Sequence, residues 1–128
     1  MGEALVRVTG KMTTFFLLLA LFFPFAPEAN SLTFKEVNSK ITEYKNWLDQ
    51  VGATGARYWV RLDSTRRPHR LYLGDGFMRA ALSDKEQFVE IFSHFLAGHP
   101  QKNMLIDLYD SVSGRRIGEY GFGGFKMY

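Results

Sequence analysis

The sequence has no cysteine. That excludes disulfides, thiolate nucleophiles, cysteine-ligated metal and a lipid-bearing cysteine together, so a folded domain here must be held by burial alone. Histidine is scarce. His94 and His99 lie five apart across a helix end and Asp107 and Asp110 three apart in a strand, on opposite faces, so neither pair has metal-ligand spacing. A histidine such as His99 at a helix end is expected to contact the last carbonyls instead. No serine sits in a nucleophile elbow, and Ser93 and His94, adjacent on a helix, point apart. The glycine-rich Gly121–Phe125 has neither the lysine nor the following helix of a phosphate loop. The expectation is no catalytic residues, no metal and no cofactor. Charge of one sign is missing too: 16 Lys and Arg against 13 Asp and Glu leave +3, which supports no claim about nucleic acid.

Long apolar runs are also absent, since the run from Phe15 to Phe23 is cut by Pro24 and falls short of the about 20 residues that span a bilayer. With Arg7 and Lys11 before it and "APEANS" after it, it reads as a secretory signal peptide over 1–31, with Ala29 and Ser31 at the small-x-small positions. The alternative is an uncleaved anchor, which would be the domain's link to the membrane. Either reading exports residues 32–128 to the periplasm or the exterior. Removing 1–31 takes away two charges of each sign (Arg7, Lys11, Glu3, Glu28), and the domain keeps +3.

What is present is apolar and aromatic: 46% hydrophobic and 16% aromatic, the composition of one packed domain. Phe34, Val37, Ile41, Tyr44, Leu48 and Val51 recur at helical spacing up to Gly52, with Trp47 beside the stripe and a capping box at Thr33 and Glu36. A second helix carries Phe88, Ile91, Phe92, Phe95 and Leu96, opens on a capping box at Ser83 and Glu86, and closes at Gly98. Between the helices, Ala56–Asp63 and His69–Leu73 read as a hairpin, and "GDG" then "FMRAAL" as a turn leading to a further strand or the next helix. Met104, Ile106 and Leu108 share one face of a later strand, and Ile117 to about Phe122 returns beside it. The order α-β-β-(β)-α-β-β predicts an α+β fold, an antiparallel sheet of four or five strands with two amphipathic helices packed on one face.

"RYWVRLDSTRRPHRLYL" is the stretch richest in recognition chemistry. Strict alternation places Arg57, Trp59 and Arg61 opposite Tyr58, Val60 and Leu62, with Arg70 and Tyr72 joining from the second strand and Arg66 and Arg67 at the tip. Guanidinium forks bind phosphate or carboxylate at two points, and aromatic planes stack on bases, sugars or the arginines themselves. The same pairs also stabilise an exposed sheet with no ligand. The expected ligand-binding set is therefore Arg57, Trp59, Arg61, Arg66, Arg67, Arg70 and Tyr72, on an exported, non-enzymatic binding or accessory domain. An anionic envelope polymer, a lipid head group or an acidic protein fits export better than intracellular nucleic acid. One alternative is a subunit that docks on an envelope complex through the sheet or the aromatic C-terminus, Phe125–Tyr128. The other is a small hydrolase, for which a pocket gathering His69, Asp107 and Glu119 would speak.

Overall fold

The computed structural model describes residues 32–128. The expected export segment and its boundary lie outside them. No helix among the described residues is long and apolar enough to cross a membrane. The fold is mixed α+β. Helix α1, Phe34–Gln50, leads to strands β1, Trp59–Asp63, and β2, His69–Leu73; the short helix α2, Asp75–Arg79, and helix α3, Leu82–Ala97, follow; strands β3, Ile106–Asp110, β4, Arg116–Gly121, and β5, Gly124–Met127, complete it.

The five strands lie side by side in chain order, but the sheet is not purely antiparallel as expected. β1–β2, β3–β4 and β4–β5 pair antiparallel, whereas β2 and β3 run parallel, His69 beside Ile106 through Leu73 beside Asp110. The reason is α3. A helix of 16 residues is about 24 Å long, so it returns the chain to the end of the sheet where β2 began, and the next strand must run beside β2 in the same direction. The "GDG" turn starts this crossover and "FMRAAL" becomes α2 and the approach to α3. The other expectation short of the structure is β5: Gly121 pairs with Gly124 around Phe122 and Gly123, so the glycine-rich segment is a tight hairpin and the C-terminal aromatics form an edge strand.

The core is built from the inward side of β2 and β3 (Leu71, Leu73, Ile106 and Leu108) and from aromatic residues of the helices. Trp47 meets Phe88 at 6.1 Å between ring centroids, and Phe88 also meets Tyr58, Phe77 and Phe92 at 5.3, 5.8 and 5.7 Å. Burying each such ring contributes on the order of 1.5–3 kcal/mol. Along α1 the burial is concentrated late: Tyr44, Trp47, Leu48 and Val51 are buried, Ile41 is half-buried and Phe34 is 81% exposed. The tryptophan set beside the stripe is thus more central than the isoleucine within it. Helix α3 opens on Ala81 with no side-chain cap, two residues ahead of the cap expected at Ser83, and closes at Gly98, whose φ of 71° puts it in the left-handed region that glycine adopts without strain.

Candidate functional site

The second side of the sheet is polar, and a bulge decides which residues reach it. Trp59 pairs with Leu73 and Arg61 with Tyr72, leaving Val60 as an extra residue in β1. Residues 59 and 61, which alternation would put on one face, therefore face opposite ways. Trp59 points to the core, its indole N–H donating to the Leu48 carbonyl at 2.9 Å and its ring edge-on to Phe92 at 5.1 Å. The expected Arg57–Trp59–Arg61 row is not formed.

Arg61, Arg70 and Tyr72 are brought together. The Arg61 guanidinium lies 3.9 Å from the centre of the Tyr72 ring. Tyr72 in turn stacks on Tyr109 at 5.2 Å across the parallel β2–β3 pair, and Arg70 lies over Tyr109 at 5.5 Å. The carboxylates beside Arg70 in the register, Asp63 and Asp107, have other partners: Asp63 accepts from the Thr65 hydroxyl and backbone N–H, and Asp107 from Arg116. The Thr65 bonds first, and then Arg61 and Arg66 nearby, hold the Asp63 carboxyl below the ordinary 3.8. Among the described residues, neither Arg61 nor Arg70 has a carboxylate in ion-pair contact.

The β3–β5 half is built differently. Asp107 sits directly across from Glu119, and Arg116 clamps both, Nη2 donating to Asp107 Oδ1 at 2.9 Å and to Glu119 Oε1 at 2.8 Å. The Arg116 guanidinium also lies 5.3 Å from the Tyr128 ring centre, and the Tyr128 hydroxyl donates to Glu119 Oε1 at 2.7 Å. That hydroxyl is the main reason the Glu119 carboxyl lies below its ordinary value, with Arg116 and Lys126 adding to it. The same bond raises the Tyr128 phenol.

The remaining expected residues lie elsewhere. Arg57 precedes β1 with φ of 59° and is clipped by Asp75 (Nε to Oδ1, 2.8 Å), which also accepts from Arg79 at 2.9 Å. Those two guanidinium bonds hold the Asp75 carboxyl down to about 2. The "GDG" glycines serve this clip: a Cβ at Gly76 would strike the Ala56 carbonyl and one at Gly74 the Arg57 carbonyl. Arg66 and Arg67 are exposed in the β1–β2 loop, Arg67 donating to the Ser64 carbonyl at 2.7 Å. His69 is on the core side, 4% exposed, with Nδ1 hydrogen-bonded to Ser64 Oγ at 2.8 Å and no partner for Nε2. Asp107 and Glu119 are on the polar face, so the three groups of the hydrolase alternative are not gathered. Among the described residues no cluster of three potential metal ligands occurs. His94 donates from Nδ1 to the Lys102 carbonyl at 2.7 Å, and His99 Nδ1 accepts from the Gln101 N–H at 3.0 Å.

Tyr109, Arg116 and Tyr128 belong to this face; of the three, only Tyr128 is expected from the sequence to matter, and then as the end of the aromatic C-terminus Phe125–Tyr128. Alternation in Ile106–Asp110 does put Asp107 and Tyr109 together on the polar side. Seeing them beside Arg70 and Tyr72 requires the parallel register. No protein family model matches this chain, and neither a curated protein nor a solved structure does.

Proposed function

We propose that residues 32–128 form an exported, non-enzymatic binding or accessory domain that takes an anionic group on the polar face of its sheet at Arg61 and Arg70, with α1 and α3 covering the other side. One observation carries this reading: Arg61 and Arg70 rest on Tyr72 and Tyr109 with no ion-paired carboxylate, while Arg116 on the same face has two. A guanidinium stacked on a ring keeps its in-plane N–H donors free and its position fixed, so less ordering is lost when a phosphate or carboxylate arrives. Tyr72 has Arg61 on one neighbouring strand and Tyr109 on the other. Its ring faces are therefore engaged within the protein. That disfavours stacking of bases or sugars and favours recognition by charge, as expected for an anionic envelope polymer, a lipid head group or an acidic protein outside the cytoplasm.

Export rests on Arg7, Lys11, the Phe15–Phe23 run and the Ala29–Ser31 site. Mass spectrometry of the protein from its native host is expected to find a mature N-terminus at Leu32; an intact Met1 in a soluble cytoplasmic fraction would count against it. Binding is tested by retention on a sulfated matrix across a salt gradient. Arg61→Gln with Arg70→Gln is expected to lose retention and Arg116→Gln to keep it, and equal behaviour of the two would refute the assignment. A second reading, docking onto a larger assembly, is favoured by β5 as an edge strand whose outer backbone groups are not taken by another strand.

A further inference from the structure

Following the chain sorts the loops into two ends of the sheet. β2 and β3 both start at one end, where β1 and β4 finish, because His69 pairs with Ile106 and Ile106 with Tyr120. The β1–β2 loop (64–68), the α3–β3 loop (98–105) and the β4–β5 turn at Phe122 and Gly123 therefore share this end. Helix α1 begins here too. Tyr44 stacks on His94 and Trp47 meets Phe88, so α1 runs antiparallel to α3 and starts where α3 finishes.

The composition of these loops is one-sided. They carry Arg66, Arg67 and Lys102, all exposed, and no Asp or Glu, although Asp63 at the end of β1 is bonded to Thr65 of the first loop and lies near Arg66. Phe122 stands at the tip of its turn 99% exposed, with exposed Leu105 beside Gly121, and Phe34 at the start of α1 is exposed as well. The opposite end also shows an apolar tip, Val112, 93% exposed, but two of its three arginines are ion-paired: Asp75 binds Arg57 and Arg79, while exposed Arg115 lies near Asp110, which is hydrogen-bonded to Ser113 and the Val112 N–H. Apolar residues alone do not distinguish the two ends. Three exposed loop cations with no ion-paired carboxylate among the described residues, beside an exposed aromatic, do.

We propose that the end bearing Phe122, Leu105, Arg66, Arg67 and Lys102 docks on an anionic lipid bilayer. Phe122 enters the interfacial layer and the three cations meet lipid phosphates, while the polar face stands at an angle to the membrane, free for its ligand. Charge complementarity selects the partner, because clustered Lys and Arg near an anionic surface are attracted additively while a single aromatic ring supplies apolar anchoring at the headgroup level. The strands from β2 to β5 set the loops along a line of about 14 Å, given roughly 4.8 Å per strand. Phe122 and the two arginines can therefore touch one plane together.

The absence of cysteine gives a direct test on the full chain. Phe122→Cys and Val112→Cys each create one thiol at an exposed turn, to be labelled with an environment-sensitive fluorophore and mixed with phosphatidylglycerol-containing or pure phosphatidylcholine vesicles. With anionic vesicles the label at 122 is expected to shift to the blue and resist an aqueous quencher, while the label at 112 stays fully quenchable. Changing Arg66, Arg67 and Lys102 together to Gln should raise the anionic lipid needed for half-protection roughly 100-fold, three cations at about fivefold each. The proposal is overturned if 122 is as accessible as 112, if both are protected alike, or if protection at 122 is the same with neutral vesicles or after the triple substitution. Far-UV circular dichroism of each variant confirms that the fold is intact.

Discussion

Arg116, on β4, has one carboxylate at 2.9 Å and another at 2.8 Å; Arg61, three strands away on the same face, has the Tyr72 ring at 3.9 Å and, among the described residues, no carboxylate in ion-pair contact. The two halves use the same residue types to opposite effect. In the β3–β5 half, Asp107 and Glu119 are direct cross-strand neighbours, an arrangement that repels unless a cation bridges it, so Arg116 is committed to holding the sheet. In the β1–β2 half the carboxylates at hand are occupied by Thr65 and by Arg116. The tyrosine pair positions the arginines without neutralising them, because a ring quadrupole attracts a cation but leaves its N–H donors unspent. What separates the structural arginine from those proposed to recruit an anion is who holds the neighbouring carboxylates.

The largest effect should come from the residue that left this face. Trp59→Ala removes a ring packed on Phe92 and an indole bond to the Leu48 carbonyl, and should cost about 3–5 kcal/mol in denaturant unfolding. Retention on an anionic matrix should be unchanged below the transition. A retention loss larger than the stability loss would return Trp59 to the binding face and dissolve the contrast between the halves.

Next in size is the charge contrast itself. Reversing Arg61 and Arg70 to Glu should abolish anionic retention and leave the thermal midpoint nearly unchanged. Arg116→Gln should do the reverse, lowering the midpoint by leaving Asp107 opposite Glu119 unbridged. Added salt should shrink both effects, since exposed charges are screened over about 8 Å at physiological ionic strength. Paired midpoint and retention curves on the same variants decide it, and parallel losses in both would show one undivided surface.

Why part of this was legible beforehand and part was not follows from the range of the forces. The late stripe of α1 and the stripe of α3 come from 3.6-residue periodicity, a local property, and Tyr44, Leu48, Phe88, Ile91 and Phe92 are buried as that pattern requires. Gly98 ended α3 as expected because a left-handed cap is a local need met by glycine. The β1–β2 hairpin was likewise legible, with Arg61, Arg70 and Tyr72 on one side. Trp59 was misplaced because a one-residue bulge is invisible to alternation and turns the residue before it to the other face. Tyr109 and Arg116 escaped, and Tyr128 was read only as part of a docking segment, because their place on this face comes from pairing across strands and the parallel β2–β3 register has no local signal.

Acid should separate the halves more gently. Burial first, and Arg67 second, holds the His69 imidazole below its ordinary 6.5. From β3 its neighbour is Ile106, and from the loop Ser64 and Arg67, so the charged group acting on it is a cation. A depressed histidine means that the native state resists a proton the unfolded chain accepts. The contribution is intact above pH 6.5 and is lost as pH falls from there through the lower folded value. Glu119 also sits below its ordinary 4.5, so the β3–β5 half should hold until pH falls under about 4.5. Amide exchange from pH 7.5 downward should therefore loosen Ser64–Leu71 first. Simultaneous loosening of β4 would contradict this order, and His69→Gln should flatten the early loss.

The smallest expected change isolates one hydrogen bond. Tyr128→Phe removes the hydroxyl that donates to Glu119 Oε1 at 2.7 Å, yet keeps the ring beside the Arg116 guanidinium. The Glu119 carboxyl, held down chiefly by that hydroxyl, should rise toward its ordinary 4.5, stopping short because Arg116 and Lys126 remain. Carbon-detected titration of the side chain reads the shift directly. Acid loss of stability should then begin at slightly higher pH in the β3–β5 half, since the carboxylate gains less on folding. Retention through Arg61 and Arg70 should not move, because neither residue touches Tyr128 or Glu119. An unshifted Glu119 would mean that Arg116 alone sets its charge. A retention change would mean that the two halves communicate through Asp107, the one residue that faces Arg70 in the register and binds Arg116 in fact.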